Sequence, residues 1–282
     1  MSGFHLVVQG AQVATADLEA LRDLSRGAAI ERIDGRGFRI AGADPATREA
    51  VAARCEAARL DGGFVADGSR LADFGLLALD MDSTLITVEC IDEIADFAGR
   101  KAEVAAVTQA AMEGGIDWPA SLHRRVAALA GLDEGVLERV YRERVRLTDG
   151  AEALVEAARR TGLRTLLVSG GFTYFTDRLR ERLGLDEAHA NALAIEDGRI
   201  AGRVSGALVD ASGKARHVAR LRQALALAKR RVLVIGDGAN DLEMMAEAGT
   251  SIAFHAKPIV RERATHSLAH VGLEGVLRLF PA

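Results

Sequence analysis

Four strand-sized apolar runs, at residues 75–79, 164–168, 231–235 and 250–254, constrain this chain more than anything else in its sequence. They do not alternate with polar residues. Near-continuous runs of this kind suit strands of a parallel sheet with helices on both faces. Three of them end in chemistry: Asp80-Met81-Asp82-Ser83-Thr84, Ser169-Gly170-Gly171 and Gly236-Asp237-Gly238-Ala239-Asn240-Asp241. Open α/β sheets place their ligand crevice outside the carboxyl ends of the strands. Acid, hydroxyl and acid would therefore meet in one place.

The interval between the first two runs is far longer than one β-α-β crossover needs. It reads as helices at 91–97, 103–112, 119–130 and 134–146, with Gly99, Gly114-Gly115 and Gly131 as stops and Asp133 as an N-cap. This excess is expected to form a helical cap, at about 89–149, over the crevice. Ahead of the first run the pattern differs. A strand at 4–8 precedes a helix at 15–25 carrying Leu18, Leu21 and Leu24. A hairpin over 30–40 turns at Asp34-Gly35-Arg36-Gly37. Asp44 as N-cap and Pro45 at the first position open a second helix running to about Leu60. Asp61-Gly62-Gly63 and Asp67-Gly68 bracket a last short strand. This strand–helix–strand–strand–helix–strand order is that of a small α+β unit of ferredoxin-like type. The expected division is an accessory domain at 1–72 and a doubly wound, mostly parallel α/β domain at 73–282, with core 73–88 and 150–282.

Composition removes several functional classes. Of 282 residues, 49% are hydrophobic and 27% charged, with a net charge of −4, so no basic excess argues for nucleic acid. Aromatics at 4% disfavour a stacking platform for single strands. The longest apolar runs are strand-sized, so no membrane span is expected. Residues 1–10 lack the charged start and cleavage site of a signal peptide. Cys55 and Cys90 give neither a disulfide framework nor a metal pattern, so a cytoplasmic location is expected and Cys90 reads as packing. The seven histidines show no ligand spacing.

Each motif has a plain reading beside a chemical one. Asp80 at a strand end can attack phosphorus, with Asp82 handling a proton, once a divalent cation relieves charge repulsion. In isolation the pair reads more readily as loop acids, one of them capping the next helix; the apolar run before it and the hydroxyls of Ser83 and Thr84 favour the chemical reading. Asp237 could join Asp80 in an oxygen-rich Mg²⁺ site, with Asn240 and Asp241 orienting its ligands, or the segment could be a glycine turn before a helix. Ser169 and the amides around Gly170 could cradle a phosphate, or form a simple strand-to-helix turn. Lys214 could neutralise phosphate charge, or be a solvated surface lysine. Taken together the plain readings would have to coincide in chain order.

The order D-x-D-x-T, Ser-Gly-Gly, Lys, G-D-G-x-N-D resembles the haloacid dehalogenase superfamily of phosphatases. Glu89-Cys90-Ile91-Asp92-Glu93-Ile94-Ala95, Ala111-Met112-Glu113-Gly114 and Ala253-Phe254-His255-Ala256-Lys257-Pro258 make the chain similar, within it, to the phosphoserine phosphatases. The resemblance spans about residues 74–280. It implies Asp80 as the nucleophile that becomes phosphorylated, and Asp82 as the acid that protonates the leaving serine and then activates water. It implies Mg²⁺ held by Asp80, the Asp82 backbone carbonyl and Asp237, with Ser169, Gly170 and Lys214 on the phosphoryl oxygens and Asn240 and Asp241 in support. Glu89 matches the position that meets the substrate ammonium, and Arg125 the one that pairs with its carboxylate. Met112 and Trp118 match apolar cap positions closing the pocket; many relatives carry phenylalanine where this chain has Trp118. The implied reaction is hydrolysis of O-phospho-L-serine, the last step of serine biosynthesis. A related phosphatase or a phosphotransferase, for example to homoserine, is the alternative. The N-terminal unit weakly resembles ligand-binding ACT-type domains, which leaves regulation, dimerisation and simple packing open for it.

Overall fold

The computed structural model describes residues 3–112 and 117–282, and the side chains of residues 109–112 also lie outside the description. The first unit comprises β1 (Phe4–Gln9), α1 (Thr15–Leu24), β2 (Ala29–Arg32), β3 (Gly37–Ala41), α2 (Arg48–Ala58) and β4 (Asp61–Ala66). Its strands pair antiparallel in the order β2-β3-β1-β4, which is the α+β unit expected. Leu6 and Val8 of β1 pack with Leu18, Leu21, Val51 and Cys55 of the two helices. Val7 joins the apolar cluster on the opposite side, as the two-residue period of a strand requires.

Two local expectations are corrected. Asp44 does cap, accepting from Ala46 N at 2.9 Å, but it opens a 3₁₀ turn at Pro45–Thr47, and α2 follows from Arg48. Gly62 and Gly63 lie inside β4 instead of bounding it. A Cβ on Gly62 would stand 2.7 Å from Cys55 Sγ, and one on Gly63 2.7 Å from Leu279 Cδ2. The strand is pressed on both faces, and glycine is what lets α2 and the following domain approach so closely.

The rest of the chain runs β5 (Leu76–Leu79), α3 (Cys90–Phe97), α4 (Lys101–Met112), α5 (Trp118–Ala127), α6 (Gly135–Glu143), α7 (Ala151–Arg160), β6 (Arg164–Phe172) and α8 (Thr173–Leu183). It continues with β7 (Glu187–Glu196), β8 (Arg199–Ser205), α9 (Ala211–Ala224), β9 (Val232–Gly236), α10 (Leu242–Met245), β10 (Thr250–Phe254), α11 (Pro258–Arg263), β11 (His266–Leu268) and α12 (Gly275–Leu279). Seven strands form one sheet in the order β11-β10-β9-β5-β6-β7-β8. All pair parallel except β8, which returns antiparallel to β7. Leu77 and Leu79 of β5 face one apolar cluster, and Leu76 and Ala78 the other. All four are fully buried, so both faces of the sheet are covered. The four expected strands are present, and β5, β6 and β9 lie side by side at the centre.

β7, β8 and β11 were not expected. β7 is mostly half-buried and carries no continuous apolar run. Its hairpin with β8 turns at Asp197-Gly198, whose φ angles of 50° and 72° are both left-handed. Asp-Gly is the usual pair for such a turn.

Helices α3–α6 form the inserted cap, closed at its base by an antiparallel bridge between Ile86 and Leu147. Gly99 and Gly131 sit at φ 67° and 79° after their helices, as expected of stops, whereas Gly114-Gly115 lie outside the described residues. Asp133 Oδ1 accepts from Gly135 N at 2.9 Å at the head of α6. The cap leans on the β7–β8 hairpin, where Gly131 N donates to Ile200 O at 2.8 Å. Among the described residues no helix is long and apolar enough to cross a membrane.

Candidate active site

The site is built where β5, β6 and β9 end side by side. Asp80 N donates to Ile235 O at 3.0 Å, which carries the ladder one residue past β5 and fixes Asp80 at the sheet edge. The chain then turns sharply. Ser83 takes a left-handed φ of 55°, its N donates to Val88 O at 3.4 Å, and its Oγ donates to Glu89 Oε1 at 2.8 Å. Cys90 N, at the start of α3, donates to Asp82 Oδ1 at 3.2 Å. Asp82 and Glu89 are thus held by one closed loop, although Glu89 itself is exposed.

From β6, Ser169 Oγ accepts from Gly171 N at 2.8 Å and is buried. A Cβ on Gly171 would lie 2.8 Å from Asp82 Oδ2. A Cβ on Gly170 would lie 2.8 Å from Trp118 Cζ2. Both glycines are therefore fixed by close approach. Trp118 heads α5, whose N-cap Asp117 accepts from Ala120 N at 2.8 Å. The cap accordingly reaches down onto the Ser169-Gly170-Gly171 segment.

From α9, capped by Asp210 accepting from Gly213 N at 2.7 Å, comes Lys214. It is fully buried, and its Nζ donates to Asp80 Oδ1 and to Asp241 Oδ1, each at 2.7 Å. Asp241 Oδ2 accepts from Asp237 N at 3.1 Å and Gly238 N at 3.0 Å. Both oxygens of Asp241 are thereby used. The half-buried Asp237 receives only a long contact from Thr84 Oγ1 at 3.5 Å. Asn240 sits beside Gly238 on the same turn.

Asp80, Asp237 and Asp241 bring carboxylate oxygens within 4.8 Å of one another. Burial first, and then the Asp241 charge, raise the Asp80 carboxyl well above its usual range. Burial with the charges of Asp241 and Glu89 lifts Asp237 to about 7. Burial would depress the Lys214 ammonium, but Asp241 and Asp80 outweigh it and hold the proton on. Burial and the Glu89 charge lift Asp82 to about 8. Three acids against one lysine leave the pocket short of positive charge. The donors are all oxygen, which suits a hard divalent cation such as Mg²⁺.

Arg125 on α5 lies in the field of Asp92, Glu89 and Asp82. Its Nε is buried without a hydrogen-bond partner among the described residues, and burial lowers its pKa against the opposing charges of Asp92, Glu89 and Asp82. A half-buried guanidinium with an unused Nε–H has the chemistry to take a carboxylate ligand. Met112 ends α4, and its side chain lies outside the described residues. The other expected residues lie near one another around the ends of β5, β6 and β9, linked by the contacts and charges given above.

Sequence reasoning passed over three residues. Asn191 on β7 is buried, donates to Gly170 O at 2.8 Å and accepts from Val209 N at 2.8 Å, so it braces the cradle against the approach to α9. Thr148 Oγ1 donates to Thr84 O at 2.7 Å, tying the far end of the cap to the catalytic turn. Asp92, on α3, has a buried Oδ1 without a partner and lies in the field of Arg125. Asp92 stood within a quoted motif, but only the fold shows that it faces Arg125. Asn191 and Thr148 carry no motif at all.

The haloacid dehalogenase-like hydrolase profile matches residues 77–246, and a domain of unknown function matches residues 6–51. The phosphoserine phosphatase of a Polaromonas species is 50% identical over 215 residues, covering 74% of this chain and 91% of that protein. That of Albidiferax ferrireducens is 50% identical over 216 residues, covering 75% and 91%. Among solved structures, an unliganded probable phosphoserine phosphatase from Vibrio cholerae superposes with a TM-score of 0.83 at 36% identity, over 98% of this chain and 85% of that one. A substrate-bound phosphoserine phosphatase superposes with a TM-score of 0.69 at 35% identity, over 73% and 98%. With the acid, hydroxyl, lysine and acid of the motifs meeting at three adjacent strand ends, the chain belongs to the haloacid dehalogenase-like hydrolases and, within them, to the phosphoserine phosphatase family.

Proposed function

We propose that this phosphatase hydrolyses O-phospho-L-serine to L-serine and phosphate through a phosphorylated Asp80, as the last step of serine biosynthesis in the cytoplasm. The observation that carries the substrate assignment is Arg125, a half-buried cation whose buried Nε–H has no partner among the described residues, in the field of the exposed Glu89 beside an acid-and-lysine phosphoryl site. An amino acid offers both a carboxylate and an ammonium to that pair.

Residues 73–282 act as the phosphatase domain and 1–72 as an accessory domain. Asp80 attacks phosphorus, and its fixed place at the end of β5 supplies the orientation. Asp82, whose carboxyl holds its proton near neutral pH, donates to the leaving serine oxygen and then withdraws a proton from the attacking water. The buried Lys214 ammonium, the Ser169 hydroxyl and the backbone N–H of Gly170 hold the phosphoryl oxygens. Mg²⁺, held by Asp80, the Asp82 carbonyl and Asp237, would polarise the phosphoryl group and screen the acids. Asp241 is spent on Lys214 and two amides, so it acts as a brace, with Asn240 beside it. Trp118 and Met112 close the cap over the substrate.

Phosphate release from phosphoserine, phosphothreonine, a sugar phosphate and an aryl phosphate, with Mg²⁺ or with chelator, tests the reading. Asp80→Asn should abolish turnover of all four. Arg125→Ala should lower kcat/KM for phosphoserine by roughly 10- to 100-fold, the worth of a charged hydrogen bond, and spare the aryl phosphate. Equal loss on both substrates, or transfer to added homoserine in place of water, would move the assignment to another small phosphomonoester or to a phosphotransferase.

A further inference from the structure

We propose that Ser83 is a positioning residue that sets substrate specificity: its hydroxyl holds one oxygen of the Glu89 carboxylate and presents the other to the ammonium of an amino-acid phosphomonoester. This role rests on the reading of Glu89 as the group that meets the substrate ammonium.

Glu89 stands at the N-cap of α3, where a side-chain oxygen ordinarily accepts from the free amides of the first turn. Its side chain makes no such bond. The leading amide, Cys90 N, donates instead to Asp82 Oδ1 at 3.2 Å. Glu89 is thereby released from capping, and its Oε1 accepts from Ser83 Oγ at 2.8 Å. Its Oε2 takes no hydrogen bond among the described residues, and the residue is exposed, so that oxygen is open to a ligand. The Glu89 charge acts on Asp82, Asp237 and Arg125 alike, which sets the carboxylate in the field of both the phosphoryl groups and the guanidinium. A free glutamate samples several rotamers. Holding one oxygen removes that freedom before the ammonium arrives.

The competing account is backbone conformation. Ser83 sits at φ 55° and ψ 3°, the left-handed region that glycine adopts most freely and that asparagine and aspartate tolerate. Serine is not favoured there. The turn is also tied through Ser83 N to Val88 O at 3.4 Å, a bond that any side chain would allow. Conformation alone would therefore be met at least as well by glycine, and the hydroxyl is what serine adds. Ser83→Gly keeps the turn and removes the one hydrogen-bond donor to the Glu89 carboxylate among the described residues, so the two accounts predict different outcomes for it.

The test uses the full-length protein with Mg²⁺ on four phosphomonoesters. Phosphoserine carries an ammonium and a carboxylate, phosphoethanolamine the ammonium alone, phosphoglycolate the carboxylate alone, and an aryl phosphate neither. Ser83→Gly should lower kcat/KM on the two ammonium substrates relative to the other two by roughly 5- to 10-fold, the range of one solvent-accessible hydrogen bond, with the loss in KM. Ser83→Ala should shift the same ratio equally, on top of a uniform loss from the strain of alanine at that φ. In a Glu89→Ala background neither substitution should move the ratio. All four substrates meet the same preparation, so a variant that folds only in part still reports the ratio. A ratio unmoved by Ser83→Gly, whether activity holds or falls equally on all four, would overturn the proposal, as would a shift that persists without Glu89. A parent that prefers phosphoethanolamine to the aryl phosphate yet ignores phosphoserine would refute the serine assignment alone, and the ammonium ratio would still decide the role of Ser83. A parent with no preference for ammonium substrates would overturn both.

Discussion

Replacing Lys214 with methionine isolates the one buried cation of the catalytic cluster. The side chain is fully buried and meets Asp80 and Asp241 at 2.7 Å each. At an effective dielectric near 20, a unit pair at that distance attracts by about 6 kcal/mol. Desolvation of the ammonium cancels much of this, and breaking such a pair costs on the order of 3–5 kcal/mol because the remaining charges stay buried. The cost has a ceiling, since Asp80 is already pushed toward its neutral form by burial and by Asp241. Methionine keeps the stem, so packing contributes little. In EDTA, where no added metal can stand in for the ammonium, the urea midpoint of Lys214→Met should fall by roughly 1 M or more for a slope near 3 kcal/mol/M. Asp80→Asn should return part of that loss in the double variant, with a coupling of about 2 kcal/mol between the sites. Mg²⁺ should narrow the gap between variant and parent. An unchanged midpoint in EDTA, or strictly additive effects of the two substitutions, would refute the reasoning that Lys214 holds the acids together.

Two further outcomes follow from the geometry. Gly170→Ala places a Cβ 2.8 Å from the Trp118 ring, so the cap should be held ajar, with kcat/KM for phosphoserine down about tenfold at a strain of roughly 1–3 kcal/mol. Trp118 is the chain's single tryptophan, so its emission should shift to the red, and Trp118→Phe in the same background should recover activity. His266 is lowered to about 4 by burial and by the Arg48 charge. Below its ordinary value of 6.5 the unfolded chain binds the proton and the folded chain does not, so stability falls as pH drops from 6.5 toward 4. The loss is about 2 kcal/mol near pH 5 and up to about 3 kcal/mol at pH 4, and urea midpoints of His266→Gln should be flatter than the parent across that window.

The central sheet was legible because a strand buried on both faces is apolar along its buried length, as β5 and β9 are throughout and β10 is from Ile252 to Phe254. β7 and β8 were not, because half of each lies at the partly wet edge supporting the cap, where no single period dominates. The Asp197-Gly198 pair did carry the turn signal, through two consecutive left-handed residues. In the site, the acids, Ser169, Lys214 and Gly170 were readable from motif order. Asn191 was silent in sequence because its work is to satisfy two backbone groups from a neighbouring strand, Gly170 O and Val209 N. Cys90 read as packing and its side chain lies in the apolar core, while its amide contact to Asp82 belongs to the backbone and leaves no trace in residue type.

The same limit applies to the N-terminal unit, whose sequence left regulation, dimerisation and packing open. Its sheet has helices on only one face. Val7 and Val65, on the other, lie in the same cluster as Val276, Leu279 and Phe280 of the phosphatase domain. Asp61 spans the boundary with both oxygens, accepting from Ala269 N at 2.7 Å and His270 N at 2.9 Å, and Arg278 Nε donates to Asp34 Oδ2 at 2.8 Å. Both carboxylate oxygens of a buried acid are thus committed to backbone donors that only the second domain provides, and an unpaired buried carboxylate is costly. A fragment ending near residue 70 would expose that apolar face and orphan Asp61, so its ligand binding would report on a damaged sheet. A regulatory role for the unit must be sought in the intact chain, where leaving the phosphatase domain would break this whole interface. The loop that Asp61 grips runs on to Leu273, whose N donates to Asp149 O at 2.7 Å at the end of the cap insertion. Packing is therefore already accounted for by the structure, and any signal from the N-terminal unit has a covalently short route to the base of the cap.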